Sequence, residues 1–97
     1  MGQEFDELKR IHFKIYGTPQ CPRCFNQWRI IQERFFNHQR EKINYNELTD
    51  EELATLKLRN IPSVEVYDGD KVIRRFEEFV SDGQLKTFVY EYKKGLK

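Results

Sequence analysis

The chain holds two cysteines, Cys21 and Cys24, spaced as C-x-x-C. As a staple the pair is poor, because so short a ring closes off far less chain entropy than the ~3 kcal/mol of a 15-residue loop. The pair asks for a chemical reading. Turn material, Gly17-Thr-Pro-Gln, leads into Cys21, and helical spacing begins at Cys24. Cys21 therefore falls where unpaired backbone N–H groups and the positive end of a helix dipole favour an anion, which lowers a thiol pKa. Pro22 suits a first helical turn, where its missing N–H costs nothing, and Arg23 adds a fixed positive charge. Cys24 lies one turn further in, on an apolar stripe. The roles then separate. Cys21 attacks a disulfide to form a mixed disulfide, and Cys24 displaces the product and leaves the pair oxidised. Two other readings stand beside this one. A zinc half-site needs two more ligands, and the only histidines, His12 and His38, are 26 residues apart without H-x3–5-H spacing, which leaves an intermolecular site. The other is a pair of inert core cysteines.

Holding such a dithiol takes a strand, a loop and a helix, and the pattern supplies all three. Ile11, Phe13 and Ile15 alternate with His12, Lys14 and Tyr16, which predicts a strand. Cys24, Trp28, Ile31 and Phe35 follow steps of four, three and four, with Phe25 and Phe36 widening the stripe; the helix should end near 38–40. Residues 42–46 alternate again, with Ile43 and Tyr45 facing in. Thr49-x-x-Glu52 is a capping box that opens a short helix carrying Leu53 and Leu56. A third strand over 63–67, a hairpin turn at Asp68-Gly-Asp70 and a fourth strand over 71–76 follow. Ser81-x-x-Gln84 then caps a last helix with Leu85, Phe88, Val89 and Tyr92 at i, i+3, i+4 and i+7. The order β-α-β-α-β-β-α is that of an α/β domain. Polar residues on the second face of the strands (His12, Lys14, Asn44, Glu65) place the two long helices on one side. The short middle helix should cover the other side only in part.

Several residues near the dithiol carry two readings each. Tyr16 ends the first strand just before the loop, either touching substrate or shielding the core from the rim. Glu65 is either a solvated face residue or a proton acceptor for Cys24, which would require burial. Arg74-Arg75 is a solvated edge or a docking patch for an acidic partner. His12 reads as a surface residue, and Trp28 and Phe35 as core.

With 97 residues, 38% hydrophobic and 14% aromatic, the chain amounts to one domain whose core rests on a few large side chains. A net charge of +1 with interleaved signs argues against a nucleic-acid partner. No apolar run approaches the ~20 residues of a membrane span. The start, MGQEFDELKR, has no apolar signal core, and Asp6 stands where a myristoylation motif wants Ser or Thr. The expectation is a cytoplasmic monomer, with residues 1–10 a polar lead-in anchored by Phe5 and Leu8.

The stretch Tyr16-Gly-Thr-Pro-Gln-Cys-Pro-Arg-Cys24 resembles the active-site loop of glutaredoxins and small thioredoxin-like proteins. Ile61-Pro62 resembles the proline of the thioredoxin fold that packs against its C-x-x-C. Gly69-Asp70 and Ser81-Asp-Gly-Gln-Leu-Lys86 resemble the C-terminal half of a thioredoxin. The likeness spans roughly residues 10–94. It implies a thioredoxin-like fold with a four-stranded mixed sheet, dithiol–disulfide exchange, and a cis Ile61–Pro62 bond walling the site. It further implies an Ile61 backbone that pairs with bound glutathione or peptide, an Asp82 that meets the glutathione amino group, and Arg75 as a carboxylate partner. The implied activity is glutaredoxin-like reduction of protein or glutathione mixed disulfides, with no bound cofactor and glutathione as electron donor. Two alternatives accompany it. One is a thioredoxin-like donor served by a reductase flavoenzyme, for example to ribonucleotide reductase. The other is a non-catalytic module, or an iron–sulfur or zinc carrier dimerised through Cys21. The chain departs from glutaredoxins at Arg23, where they carry an aromatic, and over Arg74–Glu78, where they carry Gly-Gly.

Overall fold

A computed structural model describes residues 10–95, so the expected lead-in lies outside the described residues but for Arg10. The strands are β1 (Ile11–Gly17), β2 (Gln39–Asn44), β3 (Ser63–Asp68) and β4 (Lys71–Phe76); the helices are α1 (Pro22–Arg34), α2 (Asp50–Leu56) and α3 (Asp82–Gly95). The sheet order is β2-β1-β3-β4. β2 runs parallel to β1, whereas β3 is antiparallel to β1 and β4 to β3. This is the expected mixed sheet in the expected chain order.

Alternation on β1 and β3 decides which face becomes the core. Ile11, Phe13, Ile15, Val64 and Val66 pack against Ile31 and Phe35 of α1 and Leu85 and Val89 of α3, with Trp28, Phe76 and Phe88 closing the edges. Both long helices thus lie on one face. Among the described residues the other face meets α2, which has no buried residue; a cleft lined by Lys14, Tyr16 and Tyr67 on the sheet and Glu51 and Leu56 on α2 runs beneath it. Both capping boxes form. Thr49 Oγ1 accepts the Glu52 N–H at 3.1 Å while Glu52 accepts the Thr49 N–H at 2.9 Å. Ser81 and Gln84 exchange the same pair of bonds at 3.1 and 3.0 Å. Gly69 supplies the φ of +64° that the hairpin turn needs. No helix among the described residues is long and apolar enough to cross a membrane.

The structure corrects the expected elements in three respects. First, α1 stops at Arg34 rather than near 38–40, because Phe35 leaves helical geometry (φ −125°, ψ 40°) while its N–H still bonds the Ile31 carbonyl. Phe35 and His38 then fold back onto Phe13, with ring centroids 4.9 and 5.6 Å away. Second, β2 starts and ends earlier than 42–46, and Tyr45 falls in a 3-10 turn over Tyr45–Glu47 instead of in the strand. The Asn44 side chain caps that turn by accepting the Asn46 N–H. Third, Phe25 and Phe36 are exposed: the 3.6-residue period turns Phe25 away from the side of α1 that faces the sheet, and Phe36 lies in the turn beyond the helix end.

Candidate active site

β1 ends at Gly17, the loop crosses Thr18–Gln20, and α1 starts one residue after Cys21. Cys21 occupies the N-cap with extended backbone, and Pro22 is the first helical residue. The Cys21 Sγ accepts the Cys24 N–H at 3.2 Å, so the sulfur takes up one of the donors that a helix start leaves unpaired. The Cys21 N–H itself bonds the Thr18 carbonyl at 3.2 Å, which fixes the loop beneath it. Cys21 and Cys24 form a disulfide with Cα atoms 5.2 Å apart. Cys21 is half-buried and Cys24 only 6% exposed. Arg23, at the second helical position, is exposed beside them.

Gly17 brings the strand and the helix together. A Cβ there would stand 2.6 Å from the Cys24 Cβ and 2.9 Å from its Sγ, closer than such atoms approach, so only glycine lets β1 end against Cys24. On the other side of β1, Tyr16 pairs with Ser63, which sets the buried Pro62 just ahead of β3, one residue beyond the last pair. The Ile61–Pro62 bond is cis. Ile61 is half-buried at the head of this wall.

The remaining residues expected at the site are committed elsewhere. Tyr16 is buried with its hydroxyl donating to Glu65 at 2.7 Å, on the α2 face of the sheet, so its side chain does not reach a substrate at Cys21. Asp82 pairs with Arg34 at 3.6 Å, in the last turn of α1, the end opposite the cysteines. Arg75 is not a solvated edge residue, and the carboxylates it binds are this chain's own. Its guanidinium donates to Glu65 at 2.7 and 3.1 Å and also reaches Glu77 at 3.5 Å. Arg74 lies over the Phe76 ring, 4.7 Å from its centroid.

Glu65 belongs to neither expected reading. It is 1% exposed, yet it faces the second side of the sheet and accepts from Tyr16, Tyr67 and Arg75. Burial pushes its carboxyl up, but the hydrogen bonds from Tyr16, Arg75 and Tyr67 and the Arg75 charge outweigh this and hold it below the usual glutamate value. The tyrosines respond in the opposite sense: burial and the bond to Glu65 push Tyr67 up to about 12 and Tyr16 higher still. His12 stacks on Tyr67 with centroids 4.8 Å apart.

Sequence reasoning missed Gln27. It is buried in α1, where its Nε2 donates to the Val80 carbonyl at 3.0 Å and its Oε1 accepts the Val80 N–H at 2.7 Å. The clamp ties the segment after β4 to the helix that carries the cysteines. Its position three residues after Cys24, on the same stripe, was the available signal. The two histidines are far from such a cluster: among the described residues no three His, Cys, Asp or Glu side chains gather where a metal could bind.

No family model matches the chain. Protein disulfide-isomerase 1 of Caenorhabditis elegans is 29% identical over an 89-residue alignment that covers 78% of this chain and 18% of that protein. The chain therefore spans less than a fifth of the length of that curated relative. By structure it is similar to thioredoxin 1 of Thermosipho africanus, with a TM-score of 0.73 and 20% identity over 86% of this chain and 94% of that one. A variant of the thioredoxin of Halobacterium salinarum gives a TM-score of 0.75 at 11% identity, covering 92% and 80% of the two chains. These likenesses cover most of the chain and show its fold. The chain has the thioredoxin fold, with a Cys21–Cys24 disulfide at the head of α1.

Proposed function

We propose that the protein is a thiol–disulfide oxidoreductase that reduces protein disulfides through Cys21 and Cys24. One observation carries this reading: the Cys21 sulfur sits at the N-cap of α1, accepting the Cys24 N–H, with Cys24 buried behind it. Helix-start donors stabilise the Cys21 thiolate of the reduced protein. That thiolate attacks one sulfur of the substrate disulfide, and the other leaves as a thiolate. Cys24, deprotonated in turn, attacks the Cys21 sulfur and expels the second substrate sulfur. Two electrons pass to the substrate, the protons of the two thiols end on its two sulfurs, and the Cys21–Cys24 bond forms. Cys24 is too enclosed to take the first step. Pro22 and Arg23 tune the thiolate, and Ile61 offers its backbone to an extended peptide in the manner of an added strand.

The glutaredoxin-like form of this reading asks for charged contacts to glutathione, and Asp82 and Arg75 are engaged with Arg34 and Glu65. That favours protein disulfides as substrates, with a reductase flavoenzyme or glutathione returning the electrons. A cytoplasmic monomer without a resident cofactor completes the proposal. The test offers the oxidised protein glutathione with its reductase and, separately, thioredoxin reductase. Turnover with one of the two identifies the donor. Cys21→Ser should abolish exchange, and Cys24→Ser should trap mixed disulfides. Faster alkylation of Cys24 than Cys21 near pH 7 would reverse the assigned roles. Protein that purified with iron or zinc would favour the carrier reading instead.

A further inference from the structure

A cleft of about 290 Å³ opens against the disulfide on the β2 side of α1, away from Pro62. Cys24 and Gly17 line it, so whatever fills it lies against the redox pair. Its buried end is hydrocarbon: Ile15, Trp28 and Ile43. At its open end stands Phe25, 62% exposed, an aromatic ring left in water one residue after Cys24. The lining also carries one cation, Lys42, whose Nζ lies 5.8 Å from the Trp28 ring centroid, and one carboxylate, Glu47.

Three features together fix what such a cleft takes. Its volume lies just below the ~300–1,000 Å³ of small-molecule sites, enough for one large side chain and too small for a cofactor. Ile15, Trp28 and Ile43 give it an apolar lining, and its two charged side chains, Lys42 and Glu47, are opposite in sign and offset each other, so the hydrocarbon decides what enters. The Phe25 N–H bonds the Cys21 carbonyl at 3.1 Å, so Phe25 stands one helical turn, ~5.4 Å of rise, from Cys21. That is within reach of the residue next to a substrate cysteine joined to Cys21, because an extended chain advances only ~3.3–3.6 Å per residue.

We propose that this cleft is a substrate subsite for an aromatic or large aliphatic side chain next to the substrate cysteine, with Phe25 and Trp28 as its specificity-determining residues. The proposal rests on the oxidoreductase reading above. It places a side-chain pocket on one flank of the dithiol and the strand-pairing wall of Ile61–Pro62 on the other. A tenfold preference corresponds to ~1.4 kcal/mol, less than burying an aromatic side chain against hydrocarbon supplies in full.

The experiment compares two disulfide-linked peptides that differ only in Phe or Lys beside the cysteine. Wild type should show a kcat/KM about tenfold higher for the Phe peptide, with the difference in KM. Phe25→Ala should bring that ratio to within twofold; because it is a ratio, a general loss of folded or active protein cancels. A second arm needs no turnover. Trp28 is the sole tryptophan in the chain, so cysteine-free versions of the peptides are titrated against the oxidised protein while its emission is followed. The Phe peptide should change the emission saturably, about tenfold more weakly in Phe25→Ala, and the Lys peptide should not. Equal kcat/KM for the two peptides, or a ratio untouched by Phe25→Ala, overturns the subsite. Saturable emission with no disulfide reduced by wild type overturns the oxidoreductase reading and leaves the subsite standing. Reduction of both peptides at one rate with silent emission does the reverse.

Discussion

Replacing Glu65 with Gln tests the account of the second sheet face. The carboxylate accepts from Tyr16 and Tyr67 through one oxygen and from Arg75 through the other. Glutamine keeps the shape and can still accept from the tyrosines, but its amide nitrogen then points donor against donor at the Arg75 guanidinium. Removing one partner of a buried pair costs ~3–5 kcal/mol. The Arg75 side chain is 29% exposed and retains Glu77 at 3.5 Å, so water and a second carboxylate recover part of that. A loss of about 2–3 kcal/mol remains, a large share of the ~5–15 kcal/mol that holds a domain together. With a urea m-value near ~1.2 kcal/mol/M, the unfolding midpoint at pH 7 should fall by roughly 2 M. The sign of the pH dependence follows from the lowered carboxyl pKa. A depressed folded pKa gives stability that is present above the unfolded value of ~4.3 and is lost as pH falls through the folded value. The gap between wild type and Glu65→Gln should therefore shrink between pH 7 and about pH 3. Urea titrations of both proteins at the two pH values measure this. A midpoint unchanged at pH 7, or a gap constant with pH, would show that the cluster does not hold the sheet as argued.

Two further substitutions probe the head of α1. Gly17→Ala places a methyl 2.6 Å from the Cys24 Cβ; overpacking of this kind costs ~1–3 kcal/mol, so the thermal midpoint should drop by roughly 5–20 °C, and an unchanged midpoint would mean that β1 and α1 can separate freely. Arg23→Glu reverses an exposed charge at the second helical position. It should destabilise the Cys21 thiolate and make the couple more reducing by on the order of 20 mV, read in a redox titration; a potential that stayed put would remove Arg23 from the tuning of the thiol.

The local devices were legible in the sequence because each is set by residues close together in the chain. Alternation fixed β1 and β3, two capping boxes fixed the starts of α2 and α3, and the loop-to-helix junction put Cys21 at an N-cap. The caps rest on side-chain to backbone bonds within three residues, and the strands on a period-2 pattern written in consecutive residues even though their partners lie far along the chain. The chain order and the one-sided placement of the long helices followed from the same period-2 pattern. Tertiary contact decided the rest. The end of α1 depends on Phe35 and His38 finding Phe13, 22 and 25 residues upstream. Whether Phe25 is core or surface depends on which helix face meets the sheet, and a stripe of aromatics widened in both directions cannot tell. Asp82 and Arg75 are charged residues whose partners, Arg34 and Glu65, lie 48 and 10 residues away. No short-range pattern announces such a pair. Glu65 reads as a solvated charge by type and by alternation. Only the packing of Tyr16 and Tyr67 over it, with Arg75 from the next strand, supplies the donors that let a carboxylate lie buried in a central strand.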